Sequence, residues 1–137
     1  MDETVRVNEP EGGYQFEPLS QQVIGAALAV HKQLDPGFRE EVYENALCME
    51  LDKRGLRYDR QVDISVHYDG ALVGTHTLDL LVERSLVVEL KAVFTLAEVH
   101  YAQLTAYLRA ADARVGLLLN FGQLPLGIKR LVNTHRG

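Results

Sequence analysis

Two carboxylates and a lysine stand out in the run Thr77-Leu78-Asp79-Leu80-Leu81-Val82-Glu83-Arg84-Ser85-Leu86-Val87-Val88-Glu89-Leu90-Lys91. The polar triplet Glu83-Arg84-Ser85 reads as a three-residue hairpin loop between two apolar strands, with Val82 opposite Leu86. Continuing that register puts Asp79 opposite Glu89. Directly opposed like charges destabilise a sheet, and the surrounding leucines and valines predict burial, so the pair demands a proton or a cation between the two acids. Lys91 lies two residues beyond Glu89 and shares its face, whereas Leu90 points to the other. Carboxylate oxygens suit a hard divalent ion, Mg2+ or Mn2+, which keeps positions open for water and a phosphate oxygen. A lysine beside them can stabilise charge building on that phosphate or help orient and deprotonate an attacking water. The plainer alternative is a Lys91 that neutralises two sheet carboxylates and does no chemistry, because structural ion networks perturb such groups too. A loop of two or four residues would put the acids on opposite faces and remove the argument.

The elements that must hold these groups follow from periodicity. Val23, Ala27, Val30 and Leu34 recur at helical spacing, so the spacing predicts a helix from Ser20, capped by that serine and ended by Asp35-Pro36-Gly37. A second helix is expected from Glu40 to Arg54, with Tyr43, Leu47 and Leu51 on one face and Gly55 as its stop. The period then becomes two. Val62, Ile64, Val66 and Tyr68 alternate with polar residues up to Asp69-Gly70, a strong hairpin signal. Strands through Val82 and from Leu86 to Ala92 complete three antiparallel strands. Thr95-Leu96-Ala97-Glu98 has capping-box spacing and opens a helix to Ala110, with Val99, Ala102, Ala106 and Ala110 as its small-residue face. Val115 to Phe121 reads as a buried strand, and Ile128 to Val132 as a last edge strand. The expected class is α/β, a mainly antiparallel mixed sheet of about five strands flanked by helices.

Composition bounds the function. At 137 residues, with 47% hydrophobic and 24% charged residues, the chain is expected to form one domain, residues 18–137, behind an acidic and mobile arm, residues 1–17. The longest apolar run, Val23 to Val30, is far too short to span a membrane. Met1-Asp2-Glu3-Thr4 does not resemble a secretory signal, and the single cysteine, Cys48, excludes an internal disulfide, so a cytoplasmic location is expected. The net charge of −5 is concentrated in the arm, where Asp2, Glu3, Glu9, Glu11 and Glu17 face Arg6 alone. From residue 91 onward, Lys91, Arg109, Arg114, Lys129, Arg130 and Arg136 outnumber Glu98 and Asp112, which keeps DNA or RNA among the expected partners.

A family resemblance enters at Gly37-Phe38-Arg39-Glu40-Glu41-Val42-Tyr43, which matches the motif that names the GxxExxY proteins. The preceding Val30-His31-Lys32-Gln33-Leu34-Asp35-Pro36-Gly37 resembles that family's lead-in. The family is identified as a branch of the PD-(D/E)XK nuclease-like superfamily. The resemblance runs from Leu19 to Asn133 and takes in Asp79, Glu89-Leu90-Lys91, the segment His100 to Leu104 with Tyr107, and Asn120-Phe121-Gly122 before Gly127-Ile128-Lys129-Arg130. It implies a restriction-endonuclease-like core in which Asp79 and Glu89 are metal ligands, Lys91 is the catalytic lysine and Glu40 is a further acid offered by a helix. Gln103 and Tyr107 match the Gln-x-x-x-Tyr element that supports the site in RecB-type relatives. They share a helix face with His100. Thr77 departs from the pattern, because a basic residue is expected just before the Asp79 position in many relatives.

The expected function is therefore a metal-dependent nuclease acting on phosphodiesters of DNA or RNA. The rivals are a catalytically inactive nucleic-acid-binding module and a protein-interaction subunit on the same fold, with a homodimer or a partner protein left open. Elsewhere, His31 reads as a hydrogen-bonded packing residue and Cys48 as a small buried side chain. His67, His76 and His135 show no metal-ligand spacing, and Gly12-Gly13 lacks the context of a phosphate loop.

Overall fold

The computed structural model describes residues 18–134, so the expected arm over residues 1–17, and His135, lie outside the described residues. Helices α1 (Pro18–Leu34) and α2 (Glu40–Lys53) are followed by strands β1 (Tyr58–Tyr68), β2 (Ala71–Val82) and β3 (Leu86–Lys91). Helix α3 (Glu98–Ala111) leads to β4 (Val115–Asn120) and β5 (Gly127–Val132). The sheet order is β1-β2-β3-β4-β5. Every neighbouring pair is antiparallel except β3 and β4, which run parallel with α3 as the crossover such a pair requires. This is the mixed five-stranded α/β sheet expected from the sequence.

Local chemistry explains the joints. Asp35 (φ 59°) and Gly37 (φ 133°) turn the chain out of α1, and the Tyr43 hydroxyl locks that turn by donating to the Asp35 carbonyl at 2.6 Å while accepting from Phe38 N at 3.0 Å. Glu40 and Glu41 sit in the first turn of α2, where negative charge complements the helix dipole. Asp69 (φ 52°) and Gly70 (φ 79°) both take positive φ, as a tight hairpin turn between β1 and β2 demands.

Two apolar layers sandwich the sheet. Val23, Ala27, Tyr43, Leu47 and Leu51 pack on Leu80, Val82, Val88, Leu117 and Leu119. On the opposite face Leu104 and Leu108 of α3 pack on Leu78, Val87, Leu118 and Leu131. A Cβ at Gly116 would lie 3.0 Å from Leu108 Cδ2 and 3.1 Å from Leu104 Cδ1, so the missing side chain lets α3 settle on β4.

Three sequence expectations are corrected. Helix α1 begins at Pro18, whose fixed φ suits a first helical turn, and Ser20 is inside it, its buried Oγ without a partner among the described residues, instead of capping it. Helix α3 begins at Glu98 behind Ala97, not at a Thr95 box. Ala97 N donates to His100 Nδ1 at 2.9 Å and His100 N donates back to the Ala97 carbonyl at 2.9 Å, so the imidazole does the work expected of a glutamate. The face that α3 buries is Leu104 and Leu108, while Val99, Ala102, Ala106 and Ala110 are exposed, because leucines cover more apolar area than alanines. Among the described residues, no helix is long and apolar enough to cross a membrane.

Candidate active site

The β2–β3 ladder pairs Val82 with Leu86, Leu81 with Val87 and Leu80 with Val88, as the three-residue loop requires. One step further the two acids meet, and there the side chains take over from the backbone. Asp79 N donates to Glu89 Oε2 at 3.0 Å, and Leu90 N donates to Asp79 Oδ2 at 2.8 Å. Each carboxylate thus satisfies an amide of the other strand with one oxygen.

The strand bends at this point. Leu78 packs in the α3 layer and Leu80, only two residues on, in the α1–α2 layer, whereas strict alternation would put both on one face. On β1, Arg60 pairs with Leu80 and Val62 with Leu78, and Gln61 between them has φ 53°. Helix α2 braces this irregularity through Glu44, which accepts from Arg60 Nε at 3.0 Å and from Gln61 Nε2 at 3.2 and 3.3 Å. The bend lets Asp79 be approached from both layers, from Glu40 of α2 and from Tyr107 of α3.

Burial and mutual charge shift the acids together. Burial pushes the Glu89 carboxyl up to about 8, with the negative charge of Asp79 adding to it and the Asp79 N–H bond and Lys91 opposing. Asp79 is raised by burial and by Glu44, against the Leu90 N–H bond, Lys91 and His76. Glu40 is raised by burial and then by Asp79, with Lys91 opposing. Lys91, half-buried, pairs in the ladder with Asn120, and its carbonyl accepts from Phe121 N at 2.8 Å. The fully buried Asn120 clamps the chain just beyond the lysine, its Oδ1 accepting from Val93 N and Gly122 N at 3.0 Å each. A Cβ on Gly122 would come within 2.4 Å of the Val93 carbonyl, so only glycine fits that clamp.

Helix α3 supplies the remaining wall. His100, Gln103 and Tyr107 line a crevice too narrow to admit a water molecule, together with Glu89, Lys91, Leu104 and Leu118. Burial and then the charges of Glu89 and Asp79 raise the Tyr107 phenol, which places it beside the acid pair. His100 reaches the cleft although its Nδ1 is engaged at the helix start. Thr77 instead donates from Oγ1 to Asp63 Oδ1 at 2.7 Å, across to β1. A larger open hollow of about 830 Å³, lined by Asp52, Arg57, Tyr58, Asp59, Glu83 and Arg84, lies around the β2–β3 turn and includes none of these groups.

Sequence reasoning passed over His76. Its ring stacks on Tyr107 with centroids 3.6 Å apart and planes 15° apart, and Nε2 is buried without a partner among the described residues. Burial lowers its basicity, with Asp79 opposing and Lys91 reinforcing that shift. A histidine three residues before an acid carries no signal on a regular strand; only the bend brings both to one place. His31 and Cys48 are packing residues, as expected: His31 Nε2 donates to the Gln123 carbonyl at 2.9 Å, and Cys48 is buried and free.

Among the described residues, no three His, Cys, Asp or Glu side chains are already gathered as a ready metal cluster. The donor set nevertheless fits a hard cation. It is all carboxylate oxygen, Asp79 and Glu89 each commit one oxygen to the backbone bonds, and the raised carboxyls mark an excess of buried negative charge that a cation relieves.

Comparison with known proteins agrees with this architecture. The family model of the PD-(D/E)XK nuclease superfamily matches residues 17–131. No curated protein matches the chain. Among solved structures, "Crystal structure of SSO0001" resembles it with a TM-score of 0.56 at 17% sequence identity, covering 68% of this chain and 49% of that one. That likeness is one of fold, and the present chain spans about half the length of its relative. Nucleases of the matched superfamily generally use divalent metals. With most of its length matched by the family model and its acids and lysine meeting on adjacent strands, the chain belongs to the PD-(D/E)XK nuclease superfamily.

Proposed function

We propose that this chain is a metal-dependent nuclease that hydrolyses phosphodiester bonds in DNA or RNA, within the GxxExxY branch marked by Gly37 to Tyr43. One observation carries the reading: Asp79 and Glu89 interlock where the β2–β3 ladder gives way, with Lys91 next on the same strand. Asp79 and Glu89 would hold magnesium or manganese, with Glu40 completing the acidic shell. When bound, the ion supplies Lewis-acid polarisation of a phosphoryl oxygen. Burial and the charge of Asp79 hold the Glu89 carboxyl up at about 8, and a cation held between the two acids would favour its ionised form. Lys91 offers a positive charge to the phosphoryl group as negative charge builds there. Gln103, Tyr107 and His100 border the acids and fix the width of the cleft. The reading takes residues 18–137 as one nuclease-like domain.

The test is cleavage of single- and double-stranded DNA and RNA with magnesium or manganese. The wild type is expected to cut at least one of the four, and Asp79→Ala and Glu89→Ala none. Thr77 favours a second reading, a nucleic-acid-binding module without turnover, because its hydroxyl is tied to Asp63 and provides no positive charge for phosphate. A wild type that binds metal and nucleic acid yet cuts nothing would establish that module and end the enzyme reading.

A further inference from the structure

We propose that His76 is a positioning residue for the candidate reaction, fixing the Tyr107 ring beside the Asp79 and Glu89 carboxylates through a face-to-face stack. The inference rests on the nuclease reading. Helix α3 fully buries Leu104 and Leu108 against the sheet, and Tyr107, next to Leu108, packs there while staying partly exposed. Its phenol is close enough to Glu89 and Asp79 to feel both charges. The ring packs on the α3-side core, and His76 stacks on its face.

Two features make the stack a positioning contact. The ring centroids lie 3.6 Å apart with planes within 15° of parallel, so the imidazole stacks directly on one face of Tyr107. The edge of the imidazole does not explain its placement, since Nε2 is buried with no hydrogen-bond partner among the described residues. His76 is held by its face. It also stands on the strand that carries Asp79, three residues before it, on the side of β2 where Leu78 meets α3. Tyr107 is thereby registered against the acid-bearing strand itself. The charged groups that His76 faces are Asp79 and Lys91.

A double-mutant cycle on manganese-supported cleavage tests this. Wild type, His76→Ala, His76→Phe, Tyr107→Phe, the double variant His76→Ala/Tyr107→Phe and Asp79→Ala are compared for kcat, KM and melting temperature. His76→Ala is expected to lower kcat about tenfold at nearly unchanged KM, since small misplacements of site groups cost rate more than binding. His76→Phe keeps a ring on Tyr107 and should restore most of that loss. In the Tyr107→Phe background, His76→Ala should change kcat by less than about twofold, because groups acting as a unit are not additive. Equal losses in both backgrounds, or a His76→Phe enzyme as slow as His76→Ala, would overturn the proposal. If His76→Ala does not fold, His76→Phe against His76→Gln decides, with the phenylalanine fast and the glutamine slow if the stack is what matters. A wild type no more active than Asp79→Ala removes the nuclease reading and this proposal with it. An active wild type matched by His76→Ala removes this proposal alone.

Discussion

On the side of the sheet covered by α1 and α2, Val23, Ala26, Ala27, Tyr43, Leu47 and Leu51 are all at 0% exposure against the inner residues of β2, β3 and β4. On the other side α3 stands alone, burying Leu104 and Leu108, and it is here that Glu89 and Lys91 border a narrow crevice beside His100, Gln103 and Tyr107. The contrast teaches where such a site can be placed. Partly desolvated carboxylates with raised pKa values cost stability, and a second, thick apolar layer supplies it from the opposite face.

The largest expected effect is on rate and belongs to the thin side. Lys91→Ala should keep the fold and manganese binding while losing about 10²- to 10⁴-fold in cleavage, the range for a charge-stabilising or proton-transferring group. If Lys91 only neutralises the acids, the variant will instead fold poorly without metal and recover when manganese is added. Chemical denaturation addresses the thick side. Leu47→Ala should cost about 3 to 5 kcal/mol, since its site is closed on all sides, with activity per folded molecule intact.

A pH series sharpens the comparison further. Glu89 has its carboxyl raised to about 8 in the folded chain against 4.5 for a free glutamate, so the unfolded state releases its proton first. Its contribution to stability is therefore full below about pH 4.5 and is lost as pH rises through about 8. Without metal, that part of the stability should fall between those values by roughly 2 to 4 kcal/mol, less than the full shift because the proton is shared with Asp79. Glu89→Gln should flatten the profile and be the more stable protein at pH 8. The smallest effect is expected at Thr77→Val, which loses an exposed hydrogen bond to Asp63 and should shift stability by no more than about 1 kcal/mol, with cleavage unaltered.

Much of this site was legible because it depends on local chemistry. Asp69-Gly70 specifies its own turn, and the Glu83 to Ser85 loop sets a register that brings Asp79 to Glu89 without reference to the rest of the molecule. What was hidden depends on residues distant in sequence. The bend at Asp79 needs Gln61 in a left-handed conformation, and that is braced by Glu44, which lies 17 residues earlier on α2. Without the bend, His76 has no reason to share a site with Asp79. The exposed alanines of α3 misled for another reason: Ala102, Ala106 and Ala110 and the pair Leu104 and Leu108 both recur at helical period, and only the surface across from them, opened by Gly116, decides which row is buried. His100 at the start of α3 was unreadable as a cap because an imidazole seldom takes that position.

The most direct measurement is calorimetric titration of manganese into the full chain at pH 8, alongside Asp79→Ala and Glu89→Ala. If the interlocked acids form a cation site, the wild type will show a saturable binding event that is lost or greatly weakened in both variants, each remaining folded. Manganese binding of equal strength in all three proteins would contradict the account.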